Sequence, residues 1–398
     1  MNCKIYKSLN CFFILILSYL IFEVESFTPA GRLAHSSVLV VNRIYFFGGV
    51  DDQSNDLSEV FYLDLSKPFD MATPSWKDMS ATSAIPFRSA FATTASTNND
   101  NNPIIYLIGG LTRDQNNVDT FISLIHAFNP KSKKWNTPII KGKEPERRRN
   151  IQAVVDDVGK IYVFGGKTDN SLGSEIIQLF NDIAIFNTKD LNWSQGPIVN
   201  APLKRDLYTA TFLTDGRIVY IGGREQSNNI LTNVVDINQI NIYDTKLASW
   251  SSMQATGNNR IESRFGHSAV LASDGRIIIY GGVKNIAEFL DVKATPDLAI
   301  LNTQTTPFEW NDQLIASNVG EIPSLAFHSA NLYGNYMIVA FGNMTQTSTP
   351  PLTNKNSMIY LLDIKNYTWV NRFDPELKPS NRTPQKPPNT SNNSSQFL

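Results

Sequence analysis

Short apolar runs of five or six residues, each closed by glycine or by Asp or Asn, recur along nearly the whole chain. One kind of run ends in a glycine pair: IYFFGG at Gly48 and Gly49, IYLIGG at Gly109 and Gly110, IYVFGG at Gly165 and Gly166, IVYIGG at Gly222 and Gly223, and IIIYGG at Gly281 and Gly282. A sixth copy reads IVAFGN, with Gly342 and Asn343. Counted at Gly49, Gly110, Gly166, Gly223, Gly282 and Gly342, the period is 56 to 61 residues. A continuous apolar run of this length between turn residues predicts a strand buried on both faces. A fixed period predicts a repeat architecture.

Each glycine pair is followed by a second apolar run closed by Asp64, Asn129, Asn187, Asp244, Asn302 or Asp363. Asp and Asn cap their own backbone, so each closure predicts a tight turn into another strand. That strand carries tryptophan: Trp76, Trp135, Trp193, Trp250, Trp310 and Trp369, all the tryptophans of the chain, stand 25 to 28 residues after those glycines. A further apolar run precedes each pair, as in HSSVLVV from His35 and YTATFL from Tyr208. Each block therefore predicts four short antiparallel strands. One such sheet cannot bury its faces alone, so several stack radially. The expectation is an all-β, six-bladed propeller over residues 27–373, with blades over about 32–80, 88–140, 149–198, 205–254, 264–314 and 325–372. The first and last blocks are complete in the same phase, so closure needs no strand borrowed from the other terminus.

This combination of apolar strand, glycine pair, Asp/Asn-closed strand and tryptophan resembles the Kelch-repeat family, over nearly all of residues 32 to 372. The resemblance implies a Kelch-type β-propeller whose loops bind another molecule. Secreted Kelch-fold relatives include copper-dependent galactose oxidases, whose cofactor joins a tyrosine to a cysteine, and a sialic acid mutarotase. They set an enzyme reading beside the binding one.

Composition changes the picture at the ends. Lys4 and Lys7 precede the apolar run Cys11 to Phe22, and small residues reach Ser26, which predicts a secretory signal peptide over residues 1–26 and a secreted, extracellular product. Both cysteines, Cys3 and Cys11, lie in that segment, so the exported chain has no thiolate for a disulfide, zinc site or copper–thioether cofactor. From Asp374 the chain turns to Pro, Asn, Ser and Thr, predicting a disordered tail over 374–398. Sequons at Asn192, Asn343, Asn366, Asn381, Asn389, Asn392 and Asn393 are candidate glycosylation sites. The net charge of −1 argues against nucleic acid or an anionic membrane as partner.

Candidate chemistry is sparse. His35, His267 and His328 share one repeat position with Phe91, Gln152 and Tyr208, and a position that accepts Phe is scaffold. TDGR at 214–217 and SDGR at 273–276 resemble sialidase Asp boxes but lack the aromatic, so they read as hairpin turns. No metal, cofactor or catalytic constellation is expected, although Glu225 and Glu288 lie in loops after glycine pairs. Arg32, Arg88, Arg149, Arg205 and Arg264 each begin the innermost strand, with Leu325 sixth. The resemblance implies that arginines there help form a pocket for acidic peptides, and guanidiniums grip carboxylates bidentately. The expected partner is thus a protein or glycan, an acidic one if the arginines bind it; the alternative is that each arginine pairs with a local Asp or Glu and the backbone of the next blade. A second basic group, Lys141, Lys143, Arg147, Arg148, Arg149 and Lys204, falls in adjoining connections.

Overall fold

The computed structural model describes residues 27–97, 101–168, 170–226, 232–257, 260–287, 290–311, 315–345 and 355–375. The predicted signal segment and nearly all of the predicted tail lie outside them. Strand pairing gives six sheets with four antiparallel strands from one stretch of chain, among the described residues. The first holds Ser36–Val40, Arg43–Phe47, Val60–Asp64 and Trp76–Asp78 in order. The fourth holds Thr209–Phe212, Arg217–Ile221, Gln239–Asp244 and Ser249–Gln254. Among the described residues, none of these six blades takes its inner or outer strand from the other terminus.

The second and third strands of each blade are the continuous apolar runs, and they are buried on both faces against the neighbouring blades. Phe46, Phe61 and Ile44 of the first blade share a core with Ile338, Leu361 and Phe341 of the sixth. Each such side chain contributes about 1.5–3 kcal/mol by leaving water. The outer tryptophans reach back one blade. Trp250 packs 5.0 Å from Phe164 of the third blade, Trp369 5.3 Å from Tyr280 of the fifth, and Trp135 5.7 Å from Phe47 of the first.

The inner strands stand side by side around a channel, the sixth beside the first. One residue ahead of each carries a positive φ: Ala34, Phe91, Asn150, Leu207, Gly266 and Phe327. Their backbones form a closed chain of six hydrogen bonds. The N–H of Ala34 donates to Phe327, Phe327 to Gly266, Gly266 to Leu207, Leu207 to Asn150, Asn150 to Phe91, and Phe91 to Ala34, at 2.8–3.2 Å. This ring joins the first blade to the sixth at the channel mouth. On the outer side, Phe69–Asp70 pairs with Arg372–Phe373, and the two phenylalanines stack at 4.9 Å.

The glycine pairs serve the seams. The second glycine of each blade donates its N–H to the blade that follows: Gly49 to Ser89, Gly110 to Arg148, Gly166 to Arg205, Gly223 to Arg264, Gly282 to Leu325 and Gly342 to Arg32, at 2.8–2.9 Å. A Cβ on the first glycine would collide with that same carbonyl, 2.5 Å from Arg205 O at Gly165 (φ +57). The sixth copy keeps only the second glycine, in the register already counted. Gly342 is the second member of the pair, Phe341 takes the place of the first, and Asn343 lies beyond it. Phe341 holds the same left-handed conformation, φ +60. Left-handed backbone costs a non-glycine residue about 1–2 kcal/mol. Burial against Phe46 at 5.4 Å, Trp76 at 5.7 Å and His35 at 5.2 Å offsets it.

Candidate functional site

The glycine hydrogen bonds fix the register of the arginines. The equivalent positions are Arg32, Ser89, Arg148, Arg205, Arg264 and Leu325. Arg88 lies one residue before that register and Arg149 one after it, so the five expected arginines do not form one ring. Arg32, Arg205 and Arg264 are fully buried, and Arg148 is 1% exposed. Each guanidinium braces its own blade. Arg32 Nη1 donates to Gly48 O at 3.1 Å, Arg148 Nη1 to Gly165 O at 2.9 Å, and Arg264 Nη1 to Gly281 O at 2.9 Å. Arg32 also meets Glu59 at 2.5 Å, Arg148 meets Asp182 at 2.6 Å, and Arg205 meets Glu225 at 3.1 Å. Burial pushes the Arg264 guanidinium down to about 10 and lowers Arg32 and Arg205, the latter two partly restored by their glutamates. These residues are scaffold. The expected six-residue basic cluster divides as well, because Lys141–Gly142 lies along the outer strand of the third blade while Arg148 is internal.

The histidine register is His35, Ala92, Ile151, Tyr208, His267 and His328, since these residues face the second glycines. Phe91 and Gln152 are each displaced by one. The three rings cross seams: His35 Nε2 meets Ser329 Oγ at 2.8 Å, His267 meets Thr209 at 3.0 Å, and His328 meets Ser268 at 2.7 Å. Gln152 Oε1 accepts from Ala210 N, Thr93 Oγ1 from Ala153 N, and Ser36 Oγ donates to Ala92 O, so every seam carries such a bond. Burial drives His35 and His267 well below the ordinary value and His328 down to about 3, so the rings are neutral. The channel encloses about 180 Å³, and its lining residues carry no charge.

Charge begins one layer above. Six equivalent backbone pairs circle the mouth: Leu33 with Val50, Ala90 with Leu111, Arg149 with Lys167, Asp206 with Arg224, Phe265 with Val283, and Ala326 with Asn343. Ionised side chains occur only in the third and fourth blades. Asp206 is fully buried and accepts from Arg224 at 2.9 and 3.2 Å and from Asn150 Nδ2 at 2.9 Å. Arg224 lies 5.1 Å over Phe265 and Arg149 5.2 Å over Phe91, both within cation–π reach. Three of the six rungs are thus wholly apolar, the sixth carries Asn343, and the third and fourth together are net cationic.

The loops outside this rim carry the next feature. Arg147 joins the second and third blades, donating to Thr112 O and Oγ1 and to Leu172 O at 3.0–3.3 Å, and lies 5.2 Å over Phe121. In the loops it ties together, Val118 (58%), Phe121 (45%), Ile122 (76%), Ile176 (70%) and Ile177 (61%) are exposed. The sequence reading passed over these and the Asp206–Arg224 pair. Their signal is the aliphatic content of otherwise polar loops, TFISL at 120–124 and SEIIQL at 174–179.

Among the sequons, Asn366 is exposed in a turn and Asn192 is half-buried, while Asn343 is paired in the rim and its Oδ1 is buried. Asn381, Asn389, Asn392 and Asn393 lie outside the described residues, as does Glu288. No group of three metal-ligating side chains, and no helix long and apolar enough to cross a membrane, occurs among the described residues.

Comparison with known proteins gives a consistent result. Residues 18–287 match the Attractin/LZTR1 beta-propeller family and residues 209–386 the KLHDC2/KLHL20/DRC7 Kelch-repeats domain. Kelch domain-containing protein 1 of Mus musculus is 28% identical over 183 residues, 45% of this chain and 41% of that protein. Kelch domain-containing protein 3 of Rattus norvegicus is 26% identical over 263 residues, 63% of this chain and 64% of that protein. The chain thus spans less than two thirds of the length of these curated relatives. A solved structure titled "Structure of YjhT" superposes with a TM-score of 0.63 at 14% identity, covering 86% of this chain and 98% of that one, a likeness of fold alone.

Proposed function

Because the chain belongs to the Kelch-repeat β-propeller family, whose propellers serve as protein-interaction modules, we propose that it binds an extracellular protein through the face bearing the glycine-pair loops. An acidic group of the partner sits over the cationic third of the rim, at Arg149, Lys167 and Arg224. The observation that carries this reading is the meeting of charge and apolar surface on that face. Exposed Phe121, Ile122, Ile176 and Ile177 stand on the loops of the second and third blades, and the charged rungs belong to the third and fourth. Aliphatic side chains beside cations suit a protein surface with an acidic segment better than the hydroxyls of a glycan. Export rests on residues 1–26. It would bring N-linked glycan to Asn366, in the turn following the third strand and so on the opposite face.

The test is capture of extracellular proteins by the full chain, secreted under its own leader from eukaryotic cells. The variant Ile122→Asp/Ile177→Asp loses the captured partner, and Lys189→Glu/Lys246→Glu on the opposite face keeps it. Equal capture by both variants would move the site off the loop face. Peptide mapping of the same material should find glycan at Asn366 and none at Asn343.

A further inference from the structure

The fourth blade finishes its outer edge differently from its neighbours. In the third, fifth and sixth blades the incoming connection lays two residues parallel to the outer strand: Lys141–Gly142 beside Asn192–Trp193, Thr256–Gly257 beside Glu309–Trp310, and Ala316–Ser317 beside Thr368–Trp369. The outer strand Ser249–Gln254 has no such cover among the described residues and is the edge of its sheet. Its incoming connection holds Pro197 and Pro202, which have no N–H to offer a ladder. The Pro197 carbonyl instead accepts the indole N–H of Trp250 at 2.9 Å.

Two other outer edges are open, Trp76–Asp78 and Lys134–Asn136, but each has three residues and carries charge at Lys77, Asp78 or Lys134. Charge and brevity are how sheet edges avoid pairing with other chains. Ser249–Gln254 has six residues, and from Leu247 to Asn259 there is no ionisable side chain, and no proline. Ser249, Ser251, Ser252 and Gln254 are exposed. Aliphatic side chains flank the edge in water: Leu247 at 75% exposure just before it, and Ile198 (63%) and Val199 (73%) next to Pro197.

We propose that this edge pairs antiparallel with the same edge of a second copy, making a two-fold dimer in which two fourth blades form one continuous eight-stranded sheet. Two-fold pairing sets a strand against itself, so any charge near its centre meets its own copy. An uncharged centre meets none, which favours a second copy as the occupant. Leu247, Ile198 and Val199 leave water as the copies meet. The surface lies on the outer wall of the ring, independent of the loop-face reading.

Sedimentation velocity of the full chain over a dilution series tests it. The wild type shifts from monomer to dimer with rising concentration. Ser251→Lys and Ser251→Glu, each melting at the wild-type temperature, dimerise more weakly by roughly tenfold or more, because like charges face each other. Mixing the two variants restores the dimer. A wild type that stays monomeric throughout, or a Ser251→Lys chain that dimerises as the wild type does, overturns the proposal.

Discussion

The two faces of the ring are built from the same strands and differ in what joins them. On the turn face, between third and outer strands, one Asp or Asn in each blade folds back on its own backbone. Asp64 accepts the N–H of Ser66, Asn129 of Lys131, Asn187 of Lys189, Asp244 of Lys246, Asn302 of Gln304 and Asp363 of Lys365, at 2.8–3.0 Å. On the loop face the connections after the glycine pairs share no residue pattern and are tied by individual contacts, such as Arg113 to Asp56 at 2.8 Å between first and second blades. One face repeats because its turns satisfy only themselves. The other is free to vary because the hydrogen-bonded ring and the buried arginines hold the blades without it, which is how a repeated framework presents a specific surface.

The largest effect that would sharpen this contrast separates adjacent arginines. Arg148→Ala strips the buried Gly165 carbonyl of its guanidinium donor and leaves Asp182 with Gln195 alone, and should cost about 3 kcal/mol in denaturant unfolding. Arg149→Ala, on the rim, should stay within about 1 kcal/mol. Equal losses would erase the distinction between scaffold and surface.

Acid comes next. His35, His267 and His328 stay neutral in the folded protein, whereas the unfolded chain binds their protons below about pH 6.5. The unfolded state then holds more protons, so the contribution is complete above that value and is lost progressively as pH falls toward about 3. Thermal melts should show the midpoint falling over this window. His328→Gln, which can still bond Ser268, should give a shallower fall, and an unchanged slope would assign the acid sensitivity to other groups.

The smallest effect belongs to one turn. Asp244→Ala removes the acceptor for the N–H groups of Lys246 and Leu247, at 2.8 and 2.9 Å, and should cost about 1 kcal/mol while leaving ligand capture intact. Loss of capture would show that the turn face takes part.

What the sequence made legible follows the same division. The Asp/Asn closures and five glycine pairs stand where local backbone geometry selects residue type, the six tryptophans recur at one spacing, and the structure uses each as the pattern suggested. The arginine register was not legible, because the bond that sets it joins a glycine to a residue about 40 positions away in the next blade. The run Arg147, Arg148, Arg149 offers three candidates, and Arg88 sits beside the correct Ser89. Phe341 was hidden for a related reason: a phenylalanine in a glycine position makes sense only beside Phe46 and Trp76, almost the whole chain away. The aliphatic loop residues Ile122 and Ile177 belong to no repeat, so no period marks them.

Calorimetric titration of a captured partner tests the central claim most directly, using the wild type, the rim variant Arg149→Ala/Lys167→Ala and the turn-face variant Lys189→Glu/Lys246→Glu. The rim variant should bind about tenfold more weakly or worse, with the wild-type affinity falling as salt rises and the turn-face variant matching the wild type. A folded rim variant with undiminished affinity, or a loss confined to the turn-face variant, would contradict the assignment of binding to the loop face.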